Sequence, residues 1–156
     1  MSLSHQQPPM DKISYEYTFG MDETAIDETL QDHEVGVLAL ADDSSAYAVP
    51  VAYHYDGSSL YIRLTSDGSS TKMAFLEATA DACLCLYNIE RADTYWSIIV
   101  RGPVRKLTDD EQAAFDETAV NESFRQLPVF DQDVEDLDVE IYELEMETVT
   151  GRERGA

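Results

Sequence analysis

Between Ala46 and Thr65 the chain alternates its side chains with a period of two, breaks once, and alternates again. Tyr47, Val49, Val51, Tyr53 and Tyr55 share one face of the first run, and Asp56-Gly57 follows it. Successive side chains of a strand point to opposite faces, and an Asp-Gly pair is a strong tight-hairpin signal. Two antiparallel strands, 46–55 and 59–65, are therefore the firmest elements of the sequence. Further strands are predicted at Val35–Ala41, 81–88, 94–107 and 139–149, with Asp42-Asp-Ser-Ser45 as a turn. Gly102-Pro103 inside the fifth of these six strands predicts a bulge or sharp bend.

Three short helices fit between the strands. Ile26 and Leu30 recur at helical spacing among acids over 22–32, with Asp22 placed to cap. A second helix runs to about Thr79 with Met73 and Leu76 inward, and Thr108-Asp-Asp-Glu111 reads as a capping box for a third, running to Val120. Residues 121–138 are less regular. About six strands with short flanking helices give an α+β, mainly β fold centred on a barrel, because closure removes exposed sheet edges. One domain is expected over 21–150, with a flexible N-terminal tail at 1–20 and a short C-terminal tail at 151–156. A chain of 156 residues can bury a core without staples.

Charge narrows the functional classes. The chain carries 32 acidic and 10 basic side chains, a net −22. Such a field repels phosphate backbones and anionic lipid, so neither nucleic acid nor a membrane is an expected partner. No apolar run reaches the roughly 18–20 residues of a spanning helix, and Met1–Pro9 has no apolar signal core, so a cytoplasmic protein is expected. The acids are spread along the chain, and the only lysines are Lys12, Lys72 and Lys106. That pattern suits a halophilic protein, whose counter-ions screen self-repulsion; an ordinary acidic domain is the other reading.

No metal site is expected. Cys83 and Cys85 fall on one strand face beside Tyr87 and read as reduced packing residues, since a bridge between them would be badly strained. Glu143, Glu145 and Glu147 alternate opposite Tyr142, Leu144 and Met146 as a solvated face, and His33 and His54 have no zinc spacing. His54 is a surface residue or a proton donor on the substrate side. Ser97 has no visible His/Asp pairing, and no side chain stands out as a catalytic acid, base or nucleophile.

The segment from Leu60 to Lys72 carries the chemistry. It is a strand, then a hydroxyl-rich loop containing Gly68, then a helix that opens near a lysine. The unpaired N–H groups of a helix start, the hydroxyls of Ser69, Ser70 and Thr71 and the Lys72 ammonium together suit a phosphate. The plainer alternative is a serine cap beside a solvated lysine. On the strand, Tyr61, Arg63 and Thr65 share one face and Leu60, Ile62 and Leu64 the other. Arg63 is either a surface ion-pair partner or a cation able to sit against an electron-rich ring.

Tyr47-Ala-Val-Pro-Val-Ala-Tyr53, Asp56-Gly57, Leu60-Tyr-Ile62 and Lys72 at a helix start resemble the core pattern of the pyridoxamine 5′-phosphate oxidase-like flavin proteins. Trp96-Ser-Ile-Ile-Val-Arg-Gly102 and Thr108–Glu111 extend the likeness, which is nearest to the nitroimidazole-resistance-type branch. The resemblance implies a split barrel, a homodimer and FMN at the subunit interface. It implies that Val49, Pro50 and Val51 lie along the flavin ring, with Ile62 and Arg63 nearby. Thr71 and Lys72 match the phosphate-binding pair, with Ser69 and Ser70 in the same loop, and Ser97 matches a contact from the neighbouring subunit. The sequence lacks the C-terminal Arg-x-His substrate motif, so a true pyridoxamine-phosphate oxidase is not expected. Two functions stay open: an FMN oxidoreductase moving electrons between a reductant such as NAD(P)H and a small acceptor, or a non-catalytic flavin-binding or sensing module. Haem or a deazaflavin at the same barrel is a further alternative.

Overall fold

The computed structural model describes residues 14–66, 70–91, 94–116 and 138–154. In chain order the elements are β1 (Ser14–Phe19), α1 (Glu23–Asp32), β2 (Val35–Asp42), β3 (Ser45–Tyr55), β4 (Leu60–Ser66), α2 (Ser70–Ala78), β5 (Ala82–Arg91), β6 (Thr94–Gly102), β7 (Val104–Lys106), α3 (Asp109–Asp116), β8 (Asp138–Leu144) and β9 (Thr148–Arg154). They form one sheet in the order β1-β9-β6-β5-β2-β3-β4-β8-β7. Only the β1–β9 pair is parallel.

The hairpin sets the register. Asp56 Oδ1 accepts from the Ser58 and Ser59 amides at 2.9 and 2.8 Å, and Gly57 takes φ +101° in the turn. A left-handed turn residue is where glycine is cheapest. The pairing Tyr55↔Leu60 then sends Leu60, Ile62 and Leu64 inward, where they are buried with Val51, Tyr53, Leu84 and Ile98.

Closure comes from two bent strands. β6 and β7 are one strand interrupted at Pro103, and they pair with β9 and β8 respectively. Around the corner, the Glu145 and Glu147 amides donate to the Pro103 and Arg101 carbonyls, each at 2.9 Å. The run β6-β5-β2-β3-β4-β8-β7 therefore begins and ends on the same bent strand, and the fold is a split barrel. Gly102 sits where the two strands cross: a Cβ built there would overlap the Glu145 carbonyl oxygen and lie 2.9 Å from its carbon.

The six expected strands are present, with corrections. The fifth is split into β6 and β7 because Pro103 cannot donate to a ladder. The sixth is broken at 145–147, and its second half, β9, continues to Arg154, so residues 151–154 are strand and not tail. Residues 14–19, assigned above to the tail, form β1 on the β9 edge. The end of the third helix beyond 116 and the stretch 117–137 lie outside the described residues.

The helices are pinned by few polar contacts. Asp22 Oδ1 accepts from the Ala25 amide at 2.8 Å, capping α1 as expected, and Ile26 and Leu30 are buried. Tyr53 donates its hydroxyl to the Leu30 carbonyl at 2.7 Å, and burial, with Glu34 and Asp32 nearby, raises that phenol's pKa. α2 packs Phe75 against Tyr47, ring centroids 5.3 Å apart, and Thr79 Oγ1 accepts from the Ala41 amide at 3.0 Å. The capping box of α3 is reciprocal: Thr108 N donates to Glu111 Oε1 at 2.8 Å and Glu111 N to Thr108 Oγ1 at 3.2 Å. Arg105 holds Glu111 in a fork at 2.8 and 3.0 Å and lowers that carboxyl's pKa to about 2. Glu143, read above as merely solvated, also accepts from Arg105 at 2.8 Å, and Lys106 pairs with Glu140.

The crossing at Gly102 gives a direct test. Gly102→Ala should cost about 3 kcal/mol or more in denaturant unfolding, the upper end for overpacking because the obstacle is backbone. Gly57→Ala, where nothing lies within 4 Å, should cost only the conformational term of about 1–2 kcal/mol. Equal costs would contradict closure at Gly102.

Candidate functional site

β3 and β4 pair at Tyr55↔Leu60, His54↔Tyr61, Tyr53↔Ile62 and Ala52↔Arg63, and there the ladder stops. Beyond it β3 pairs only with β2, and Leu64, Thr65 and Ser66 of β4 only with β8. The strands fork, and proline supplies a cause. The Tyr53 amide donates to the Glu34 carbonyl at 2.9 Å, toward the β2 side. Backbone groups alternate sides along a strand, so the amides of Val51, Val49 and Tyr47 also face β2, and the positions of Ala52, Pro50 and Ala48 face β4. The next hydrogen-bonded β3–β4 pair would be Pro50 with Thr65, and Pro50 has no N–H to give. Among the described residues, no strand pairs with β3 on that side over 46–51.

Of the expected set, Val49, Pro50, Val51, Ile62 and Arg63 lie on the two forked strands. Pro50 is exposed on the outer face and Val49 is half-buried on the inner one. Arg63 is half-buried on the outer face, between Ala52 and Ile141, at the last rung before the strands part. The helix following the β4 arm carries Ser70, Thr71 and Lys72 in its first turn, Thr71 exposed and Lys72 half-buried. Val51 and Ile62 are at 1% and 0% exposure inside the barrel, so their side chains cannot meet a ligand outside it. Ser69 lies outside the described residues.

Ser97 is not brought to the fork. It stands on β6 with β2 and β5 between it and β3, so three strand spacings, about 14 Å, separate it from the β3 edge. His54 is half-buried on the paired part of β3, opposite Tyr61. Cys83 and Cys85 are half-buried, and burial, with Cys85 beside it, raises the Cys83 thiol pKa, which disfavours the reactive thiolate. No cluster of three potential metal ligands occurs among the described residues, and no described helix is long and apolar enough to cross a membrane.

One feature was not read from the sequence: the outward positions of β2, β5, β6 and β9 carry no carboxylate. Rows run Pro50–Val37–Cys85–Ile99–Thr150 and Ala48–Ala39–Cys83–Arg101–Thr148 across the sheet. The three exposed large apolar side chains found, Tyr87, Ile89 and Ile99, all lie on this face. The signal was present as odd-numbered positions free of Asp and Glu in strands 35–41, 83–89 and 95–101, in a chain of 32 acids.

A forked β3–β4 edge on a closed sheet, followed along the chain by a helix, defines a split-barrel protein. The family model for pyridoxamine 5′-phosphate oxidase matches residues 22–153, and the chain belongs to that family. No curated protein matches it. Among solved structures it is similar to a FAD-binding protein from Mesorhizobium loti, at 20% identity and TM-score 0.69, covering 86% of this chain and 96% of that one. A FAD and haem binding protein from Mycobacterium smegmatis aligns at 14% identity and TM-score 0.64, over 88% and 73%. A candidate 5-nitroimidazole antibiotic resistance protein from Bacteroides thetaiotaomicron aligns at 19% identity and TM-score 0.59, over 85% and 84%.

Because no existing rung uses position 50 on the β4 side, Pro50→Ala should change unfolding stability by no more than about 1 kcal/mol. Loss of more than about 3 kcal/mol in denaturant unfolding would put Pro50 in a role other than ending the ladder.

Proposed function

We propose that this protein binds a flavin through its FMN unit at the β3–β4 fork and works as a cytoplasmic oxidoreductase in a homodimer. The observation that carries the reading is the fork itself. An edge guarded by proline needs no ligand to explain it. Here, however, the open edge lies beside Arg63 and is followed by a helix whose first turn holds Thr71 and Lys72, in a chain with only ten cations. Those residues fit the group: peptide groups at Ala48 and Pro50 for a flat polar ring, Arg63 for its electron-rich side, and the helix start with Lys72 for the phosphate. The names of the FAD-binding relatives support the same cofactor class.

When bound, the flavin supplies the electron transfer, between a reductant such as NAD(P)H and a small acceptor. The chain's own residues bind, orient and shield it. A histidine-ligated haem is less well served: His33 stacks edge-on with Trp96 at 4.7 Å and contacts the Thr29 carbonyl at 2.9 Å, and His54 faces Tyr61's strand position.

The homodimer reading rests on the acid-free face. Two copies with a net charge of −22 each repel over most of their surface, and this face lets them meet without carboxylates. It also carries exposed apolar side chains that a second copy would cover. The same excess of acid suits a salt-rich cytoplasm.

Purified protein should be yellow or take up FMN, and Lys72→Ala should weaken FMN binding by about 10- to 100-fold, or about 1.4–3 kcal/mol. Unchanged affinity would move the phosphate elsewhere. Sedimentation should give a dimer that Ile99→Glu converts to monomer, since it puts like charges opposite each other on the proposed interface; a monomer before substitution would contradict the assembly.

A further inference from the structure

Two oriented contacts fasten α2 to the sheet, and both lie C-terminal to Thr71 and Lys72. Just past the helix, Thr79 is 9% exposed, the one polar side chain in the buried set among the described residues. Its Oγ1 accepts from the Ala41 amide at 3.0 Å, and its single hydrogen can serve the Ala41 carbonyl at 3.1 Å or the Phe75 carbonyl at 2.5 Å. The β2–β5 ladder stops at Ala39↔Cys83. Two residues on, this hydroxyl meets both the N–H and the C=O of Ala41, as a next rung would. One turn back along α2, the Phe75 ring stacks on Tyr47, centroids 5.3 Å and planes 18° apart. Tyr47 belongs to the 46–51 stretch of β3 that no described strand covers on the β4 side.

We infer from these contacts that Thr79, together with the Phe75–Tyr47 stack, is a positioning residue for the phosphate end of the flavin and sets a preference for FMN over riboflavin, which lacks the phosphate. A helix advances 1.5 Å per residue, so Thr71 stands about 12 Å along the axis from Thr79 and about 6 Å from Phe75. A tilt of about 10° at the Thr79 end carries the first turn by about 2 Å. Charge-assisted hydrogen bonds to a phosphate need donors within about 2.7–2.9 Å, so a displacement of that size forfeits them. Met73 and Leu76 also pack α2 on the core, but apolar burial has no direction and leaves tilt and rotation loose. The hydroxyl clamp on β2 and the ring stack on β3 supply the missing direction. The stack holds α2 against the same β3 stretch that the flavin ring would occupy, so ring and phosphate contacts keep one fixed separation. Contacts to the ring itself, at the β3 edge and Arg63, do not pass through α2.

The assignment rests on the flavin reading, and titration of the full-length protein with FMN and with riboflavin, followed by flavin fluorescence, separates the two. The unaltered protein should bind FMN more tightly than riboflavin. Thr79→Val keeps the shape of the side chain and removes its hydroxyl. It should weaken FMN about three- to tenfold and leave riboflavin within about twofold. Thr79→Ser, which returns the hydroxyl, should restore FMN binding. Combined with Lys72→Ala, Thr79→Val should cost FMN binding less than the product of the two single effects, because both act through the same first turn. Phe75→Leu keeps an apolar side chain and removes the stack; it should show the same selective loss, and it carries the comparison if Thr79→Val does not fold. The assignment is overturned if Thr79→Val weakens both flavins alike, which would make the hydroxyl a prop for the fold only. It is also overturned if neither flavin is weakened, or if the effect multiplies fully with that of Lys72→Ala. Unaltered protein that binds both flavins equally would sink the phosphate placement at α2, and one that binds neither would sink the flavin reading itself.

Discussion

A single missing N–H organises the site. Pro50 lies where β3 would next exchange hydrogen bonds with β4, and without its donor the ladder ends at Ala52↔Arg63. Two consequences follow from that one covalent fact. The peptide groups of Ala48 and Pro50 are turned toward an edge no described strand covers, and Arg63 is held at the last rung before the strands part. The β4 arm, released from β3, leads into the helix carrying Thr71 and Lys72. A barrel without the fork would bury this edge and have no room for a planar ligand.

The fork is tolerable because the barrel is closed firmly elsewhere. Gly102 lets the two bent strands approach until backbone meets backbone, and the amides of Glu145 and Glu147 tie the corner on both sides. α1 and α3 are then fixed by a few oriented contacts: Tyr53 on the Leu30 carbonyl, and Gln112 accepting from the Ile141 amide at 3.1 Å. Charge is partitioned in the same spirit. Acids are spread along the chain but absent from the outward positions of β2, β5, β6 and β9, the surface where a second copy can come close.

Much of this was legible in the sequence, and for identifiable reasons. The alternation 46–65 with Asp56-Gly57 gave the hairpin and its faces, because period and turn chemistry agreed. Asp22 and Thr108–Glu111 gave two helix starts, because capping is local. Lys72 drew notice because lysines are rare here, and Arg63 because it stands on the strand that leads into the same loop. What failed was global. Ser14-Tyr-Glu-Tyr-Thr-Phe19 alternates as a strand should, but its polar, Pro-rich approach suggested a tail, and its pairing with β9 depends on residues far away in sequence. The split of 139–149 was invisible because the break at 145–147 contains no glycine or proline; it is imposed by the crossing at Gly102. Ile62 and Val51 match a family pattern near a ring, yet their side chains belong to the core. The acid-free face emerges only when four strands are laid side by side.

A crystal structure of the protein grown with FMN tests the central claim most directly. The isoalloxazine should lie against the open β3 edge at Ala48–Pro50, with the phosphate at the first turn of α2, on Thr71 and Lys72. A flavin bound at any other surface, with that edge covered by the chain's own backbone, would contradict it.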